Sequence, residues 1–216
     1  MFVLIPILLL SYYGSFALSE VYHITPSSTG ICPGVPCTTL SQFAINRSFY
    51  VYSNITLVFE NGEHKLSSEI SINNITKLSV LSISNSSSSV VISCAQSASW
   101  SLTSVVNVHI SGLTFVQCNI QVNSVMGFSV EKSSFFNHTG TVLEIIESSA
   151  NITKSYFASN SGGTLKLLTD DDKLHHKSTG AVIITSLSKT MFTSSSFHKN
   201  SAEYGGGSCL LNFGAT

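Results

Sequence analysis

The densest cluster of side chains able to do chemistry is "LLTDDDKLHHKST", residues 167 to 179, where Asp170, Asp171 and Asp172 precede His175 and His176. Carboxylates and imidazoles are the donors that divalent cations take. Consecutive side chains do not converge unless a loop wraps around an ion, and neighbouring histidines on an extended chain point apart. The stretch therefore reads as a solvated insertion, and no metal or cofactor is expected. It also holds every aspartate in the chain. Glycoside hydrolysis requires two carboxylates facing one cleft. The glutamates are Glu20, Glu60, Glu63, Glu69, Glu131, Glu144, Glu147 and Glu203, of which Glu144 and Glu147 are near neighbours. The sole arginine, Arg47, lies near the N-terminus. His109 alternates with Val108 and Ile110, so it faces outward if they face a core. His138 and His198 read as structural or surface residues. No catalytic residue is assigned, and the chain reads as a non-enzyme.

The cysteines and asparagines point to export instead. Cys32 and Cys37 in "CPGVPC" close a small loop that Pro and Gly pre-bend. Cys94 and Cys118 stand 24 residues apart, and Cys209 is left over. Six N-x-[ST] sequons occur, at Asn46, Asn54, Asn74, Asn85, Asn137 and Asn151. The opening "MFVLIPILLLSYYGSFALS" has an apolar run from Phe2 to Leu10, with Ala17 and Ser19 as the small residues of a cleavage site. Residues 1–19 are read as a signal peptide. No later segment is long and apolar enough to span a bilayer. Only 10% of residues are charged and the net charge is −1, which excludes an electrostatic footprint for nucleic acid or anionic lipid. The expected location is secreted or extracellular.

The elements that position these residues follow from a repeat. Phe115, Phe135, Phe157 and Phe197 each have an apolar residue five before them: Ile110, Val130, Ile152 and Phe192. Seven before stand Val108, Phe128 and Ala150, with Thr190 as the exception; three after stand Cys118, His138, Asn160 and Asn200. The intervals are 20, 22 and 40 residues, the last read as two coils with one interrupted. Serine, threonine and β-branched residues dominate, and no long 3.6-residue apolar period is present, so the chain is read as all-β. A period of 20–22 residues with short strands implies a parallel β-solenoid in which equivalent residues stack. The phenylalanines then form an internal column. Asn160 and Asn200 adopt the left-handed conformation and bridge coils through their amides, and the glycines at 162–163 and 205–207 turn the chain. Cys94 and Cys118 fall on adjacent coils and bond.

Upstream, strands are expected at Thr56–Phe59, Glu69–Ile72, Leu78–Ile83 and Val90–Ser93, with Asn61-Gly62 as a local hairpin or turn. Residues 20–50 form an N-terminal cap in which Thr39–Ala44 is a short amphipathic helix over the first coil. Residues 51–216 form the β-helix, expected to continue beyond Thr216.

Phe-x-x-Asn at 157–160 and 197–200, followed by "SGG" and "SAEYGGG", resembles the FxxN and GGA repeats of polymorphic outer-membrane-protein passengers. "TGAVIIT" at 179–185 resembles their GGA-aliphatic element. Those passengers are right-handed parallel β-helices of the pectin-lyase-like superfamily. The resemblance implies a right-handed coil and an adhesive or recognition surface. The polygalacturonase Gly-His-Gly and Asn-Thr-Asp motifs are absent. The function expected is a secreted, glycosylated scaffold or recognition module for an extracellular glycan or protein. The rival readings are a carbohydrate-active enzyme and the ectodomain of a membrane-tethered adhesin or receptor.

Overall fold

A computed structural model describes residues 19–26, 37–46, 53–161, 182–184, 188–201 and 209–211. Along the strands apolar residues alternate with polar ones, as in "NITLVF" at 54–59, where Ile55, Leu57 and Phe59 are buried. This period of two puts one face of each strand inward. The strands fall into three parallel sheets. The first contains β1 (Ser19–Thr25), β2 (Cys37–Thr39), β3 (Asn54–Phe59), β6 (Lys77–Ser82), β9 (Asn107–Ser111), β12 (Gly127–Glu131), β15 (Ser149–Thr153) and β18 (Lys189–Thr193). The second contains β4 (Gly62–Leu66), β7 (Val90–Cys94), β10 (Thr114–Val116), β13 (Ser134–Phe136), β16 (Tyr156–Ala158) and β19 (Ser196–His198). The third contains β5 (Ile70–Asn73), β8 (Ser99–Thr103), β11 (Asn119–Asn123), β14 (Leu143–Ile146), β17 (Val182–Ile184) and β20 (Cys209–Leu211). From β3 onward the chain visits the sheets in strict rotation, one strand each per coil. The fold is a parallel β-solenoid.

Strand pairing fixes the stacking. Phe115, Phe135, Phe157 and Phe197 are successive partners in the second sheet. Their rings are near-parallel, with centroids 5.2, 4.7 and 4.8 Å apart. Ile110, Val130, Ile152 and Phe192 pair likewise in the first. The 40-residue interval is therefore one coil and not two. Phe157 pairs directly with Phe197, so the residues between β16 and β17 are an insertion within a single coil. A second insertion, between β6 and β7, includes "ISNSSSS" and lengthens an earlier coil. Such additions at turns leave the stacked strands undisturbed.

The expected upstream strands are present as β3, β5, β6 and β7, but Asn61-Gly62 makes no hairpin. β4 starts at Gly62 and pairs in parallel with β7, so this turn is a corner between two sheets. Gly62 has φ 130°, and a Cβ there would approach Pro26 at 2.8 Å, so the corner requires glycine. Helix α1 (Leu40–Ile45) starts at Thr39, whose side chain accepts from the Gln42 N–H while the Gln42 side chain accepts from the Thr39 N–H. Leu40, Phe43 and Ala44 face the core, and Phe43 meets Tyr22. The helix packs on β2, β4 and β5, over the first coil. β1, in the segment read as cap, is hydrogen-bonded between β2 and β3. Cys94 and Cys118 form a disulfide with Cα atoms 5.0 Å apart. A closed loop of this kind typically stabilises by about 2–4 kcal/mol.

The corners follow one rule, and it corrects the placement of the left-handed residue. That residue lies two positions after the phenylalanine, at Gln117, Asn137, Ser159 and Lys199, and the Asn ladder comes one residue later. Gly112, Lys132, Lys154 and Ser194 hold the same conformation between the first and second sheets. Asn74, Ser104, Ser124 and Glu147 do so between the third and the first. A left-handed L-residue costs about 1–2 kcal/mol. Where the following residue is Asn or Ser, its side chain bonds across coils and offsets this. Asn160 Oδ1 accepts the His138 N–H at 3.1 Å, and Asn200 Oδ1 accepts the Asn160 N–H at 3.1 Å. Serines do the same elsewhere. Ser155 Oγ accepts the Ser133 N–H and donates to Thr153 O, and Ser148 Oγ accepts the Val125 N–H and donates to Ile146 O.

Ser155→Ala is expected to lower stability by about 1–2 kcal/mol, because it strands a buried N–H one coil away. Urea denaturation of the variant beside Ser134→Ala, on the half-buried outer face, checks this. Equal midpoints would show that the serine ladder contributes nothing.

Candidate functional site

The outer face of the first sheet carries hydrogen-bonding side chains around a concavity. In β9 Val108 and Ile110 are buried, which turns Asn107 and His109 outward. Register then builds rows along the solenoid. His109, Ser129, Asn151 and Met191 are successive partners, as are Lys77, Asn107 and Gly127. Ser149 pairs with Lys189. Neighbours within a row are about 4.8 Å apart. These rows line a groove of about 470 Å³, with Lys77 and Lys189 in its wall. A Cβ on Gly127 would come within 2.7 Å of Asn107 Oδ1, so a side chain there would displace the Asn107 amide.

The groove presents paired hydrogen-bonding groups. His109 Nδ1 and Ser129 Oγ are 2.8 Å apart, and the Ser129 hydroxyl donates to Val108 O at 3.2 Å. The imidazole tautomer sets which of His109 Nδ1 and Ser129 Oγ donates in this pair. An activated serine requires an imidazole nitrogen that accepts the hydroxyl proton. No carboxylate is among the described residues that line the groove. Glu131 pairs with Lys132 at 3.4 Å, and Glu144 accepts from Gln121 Nε2 in the third sheet. Burial pushes the Glu144 carboxyl up, and the Gln121 bond opposes this. Glu147, near it in sequence, is a corner residue that accepts from Ser124.

The other residues singled out in the sequence are dispersed. Phe115, Phe135 and Phe157 are fully buried in the internal column, and Phe197 packs against it. His138 is buried on the Asn ladder with its Nε2 3.4 Å from Phe115 O, and burial lowers its pKa to about 4. His198 is exposed on β19. The sequon asparagines are all outside the core. Asn46 caps the C-terminus of α1, Asn54 opens β3, Asn74, Asn85 and Asn137 are left-handed residues, and Asn151 lies in the groove. Asp170, Asp171, Asp172, His175, His176, Cys32, the glycines at 162–163 and 205–207, and residues 1–18 lie outside the described residues. Among the described residues no helix is long and apolar enough to cross a membrane.

Sequence reasoning placed His109 outward but did not find the groove. The signal is present only after alignment, when the residues one after Val108, Phe128 and Ala150 read His, Ser and Asn. Compared with protein-family models, with curated proteins and with solved structures, the chain matches none.

Proposed function

We propose that the chain is a secreted, glycosylated β-helix that recognises an extended polar ligand, an extracellular glycan or a protein segment, without turning it over. The observation that carries this reading is the row His109, Ser129 and Asn151, which offers donors and acceptors at strand spacing along a groove. Evenly spaced polar groups suit a polymer with its own repeat, because each contact is weak and several act together. Export is supported by the sequon asparagines, none of which is buried, and by a disulfide between coils, a bond that persists in oxidising compartments. The Phe-x-x-Asn corners and their ladder support a right-handed helix similar to the FxxN/GGA passengers within the pectin-lyase-like class.

The test is a binding screen of the secreted chain carrying Thr153→Ala, which removes the sequon in the groove. Arrayed neutral and acidic glycans and extracellular-matrix proteins serve as probes. His109→Ala combined with Ser129→Ala should weaken the captured interaction by about tenfold or more, the loss of one to two hydrogen bonds. Unchanged binding in that variant would place recognition elsewhere. Release of reducing ends or unsaturated products from a polysaccharide would replace this reading with an enzymatic one.

A further inference from the structure

Building on the secreted, glycosylated reading above, we propose that the chain's own N-linked glycan at Asn151 occupies the groove, which opens to other ligands only in copies unmodified there. Of the sequon asparagines, Asn151 alone is among the residues that line the groove. It stands within β15, exposed, with Ser129 on one side of its row and Met191 on the other. Among the described hydrogen bonds none engages its side-chain amide. By contrast Asn119 donates to Thr141 O, and Asn160 and Asn200 are tied into the ladder. Its Nδ2 is thus available where the row needs an anchor. Thr153, which completes the sequon, follows at the next outward position of the same strand.

The groove suits what would be attached. Its volume lies within the roughly 300–1,000 Å³ of small-ligand sites, enough for the first sugar residues while the remaining glycan runs into solvent. His109, Ser129 and Asn107 supply donors and acceptors for sugar hydroxyls. In the modification, Asn151 Nδ2 bonds to the anomeric carbon of an oligosaccharide carried on a lipid pyrophosphate. The anomeric C–O bond breaks, the lipid pyrophosphate leaves with its electron pair, and Nδ2 gives up one proton. Nothing is oxidised or reduced.

The experiment uses the chain secreted by a glycosylating host, as wild type, Thr153→Ala and Asn151→Gln. Peptide mass spectrometry reads occupancy at each sequon, and diethyl pyrocarbonate reads the accessibility of His109, with exposed His198 as reference. The expected result is a glycan on Asn151 and a His109 reaction about tenfold slower in wild type than in either variant, which corresponds to about 1.4 kcal/mol of closure. His198 should react equally in all three. Asn151 found unmodified, or equal His109 rates with and without its glycan, would overturn the proposal. If His109 is shielded in wild type but the Thr153→Ala variant, which keeps Asn151, captures no arrayed glycan or matrix protein, groove occupancy stands and the recognition function fails.

Discussion

Replacing Phe135 with alanine should lower the stability of the chain by about 3–5 kcal/mol, the range for deleting a fully buried aromatic ring. Phe135 has no exposed surface and is stacked between Phe115 and Phe157 with interplanar angles of 7° and 9°. Its removal strips one face from each of two neighbouring rings. The backbone cannot close the gap, because the Phe135 peptide is held in register with both adjacent coils and Phe135 O accepts from Asn160 Nδ2. Phe136, one residue on, points outward and is half-buried against Tyr156. Phe136→Ala should therefore cost about 1 kcal/mol or less, the value of an exposed aromatic contact. Equilibrium urea unfolding of the two variants beside wild type reads the difference. Near-equal midpoints would mean that the stacked column does not carry the stability assigned to it. In a solenoid each coil contacts only its neighbours, so the loss should be felt most by the coils of Phe115 and Phe157. Hydrogen exchange should show faster opening of β10, β13 and β16 than of β1 and β3.

The column was legible because phenylalanine is large, infrequent and recurs at a fixed interval. The short helix read at Thr39–Ala44 was legible from its apolar face, whereas Thr39 is its cap and not its first residue, a Thr-x-x-Gln signal the reading passed over. The serine ladders were not legible. Ser133, Ser148 and Ser155 are buried and bonded across coils, yet serine is so abundant here that its presence at one phase carries no information. The 40-residue interval misled for a related reason. Counting residues cannot separate two coils from one coil with an insertion; pairing of Phe157 with Phe197 does. Asn61-Gly62 left hairpin and turn both open, because a corner between sheets and a hairpin demand the same turn chemistry and only the partner strand tells them apart. His64 was invisible as a core residue. Register places it opposite Ile92 in the phenylalanine column, but the coils before Phe115 have unequal lengths that hide the phase. The groove was hidden because its residues are ordinary polar ones, and what makes them a site is their stacking.

Acidification should destabilise the chain as the pH falls from about 6.5 toward about 4, chiefly through His138. Its imidazole is buried on the Asn ladder, and desolvation, opposed by the Phe115 carbonyl, lowers its pKa to about 4. In the unfolded chain it titrates at 6.5. Above 6.5 it is neutral in both states and contributes no penalty. Between these values the unfolded state takes up a proton that the folded state refuses, so stability falls with pH, and below about 4 both states are charged and the loss stops growing. The full shift amounts to about 3 kcal/mol. His64 works in the same direction, since burial lowers its pKa against the pull of the Glu60 and Thr25 carbonyls. Glu144 works the other way. Its raised carboxyl contributes stability present at low pH and lost as the pH rises through its folded pKa, which offsets part of the acid loss. His138→Asn separates the terms. It supplies the residue type that Asn160 and Asn200 use at the same corner, with an amide placed to donate to Phe115 O. Urea midpoints at pH 7.5 and 4.5 should show wild type losing most of the stated energy and the variant losing only the smaller contribution of His64. Parallel pH profiles for the two proteins would show that His138 is not the group refusing the proton.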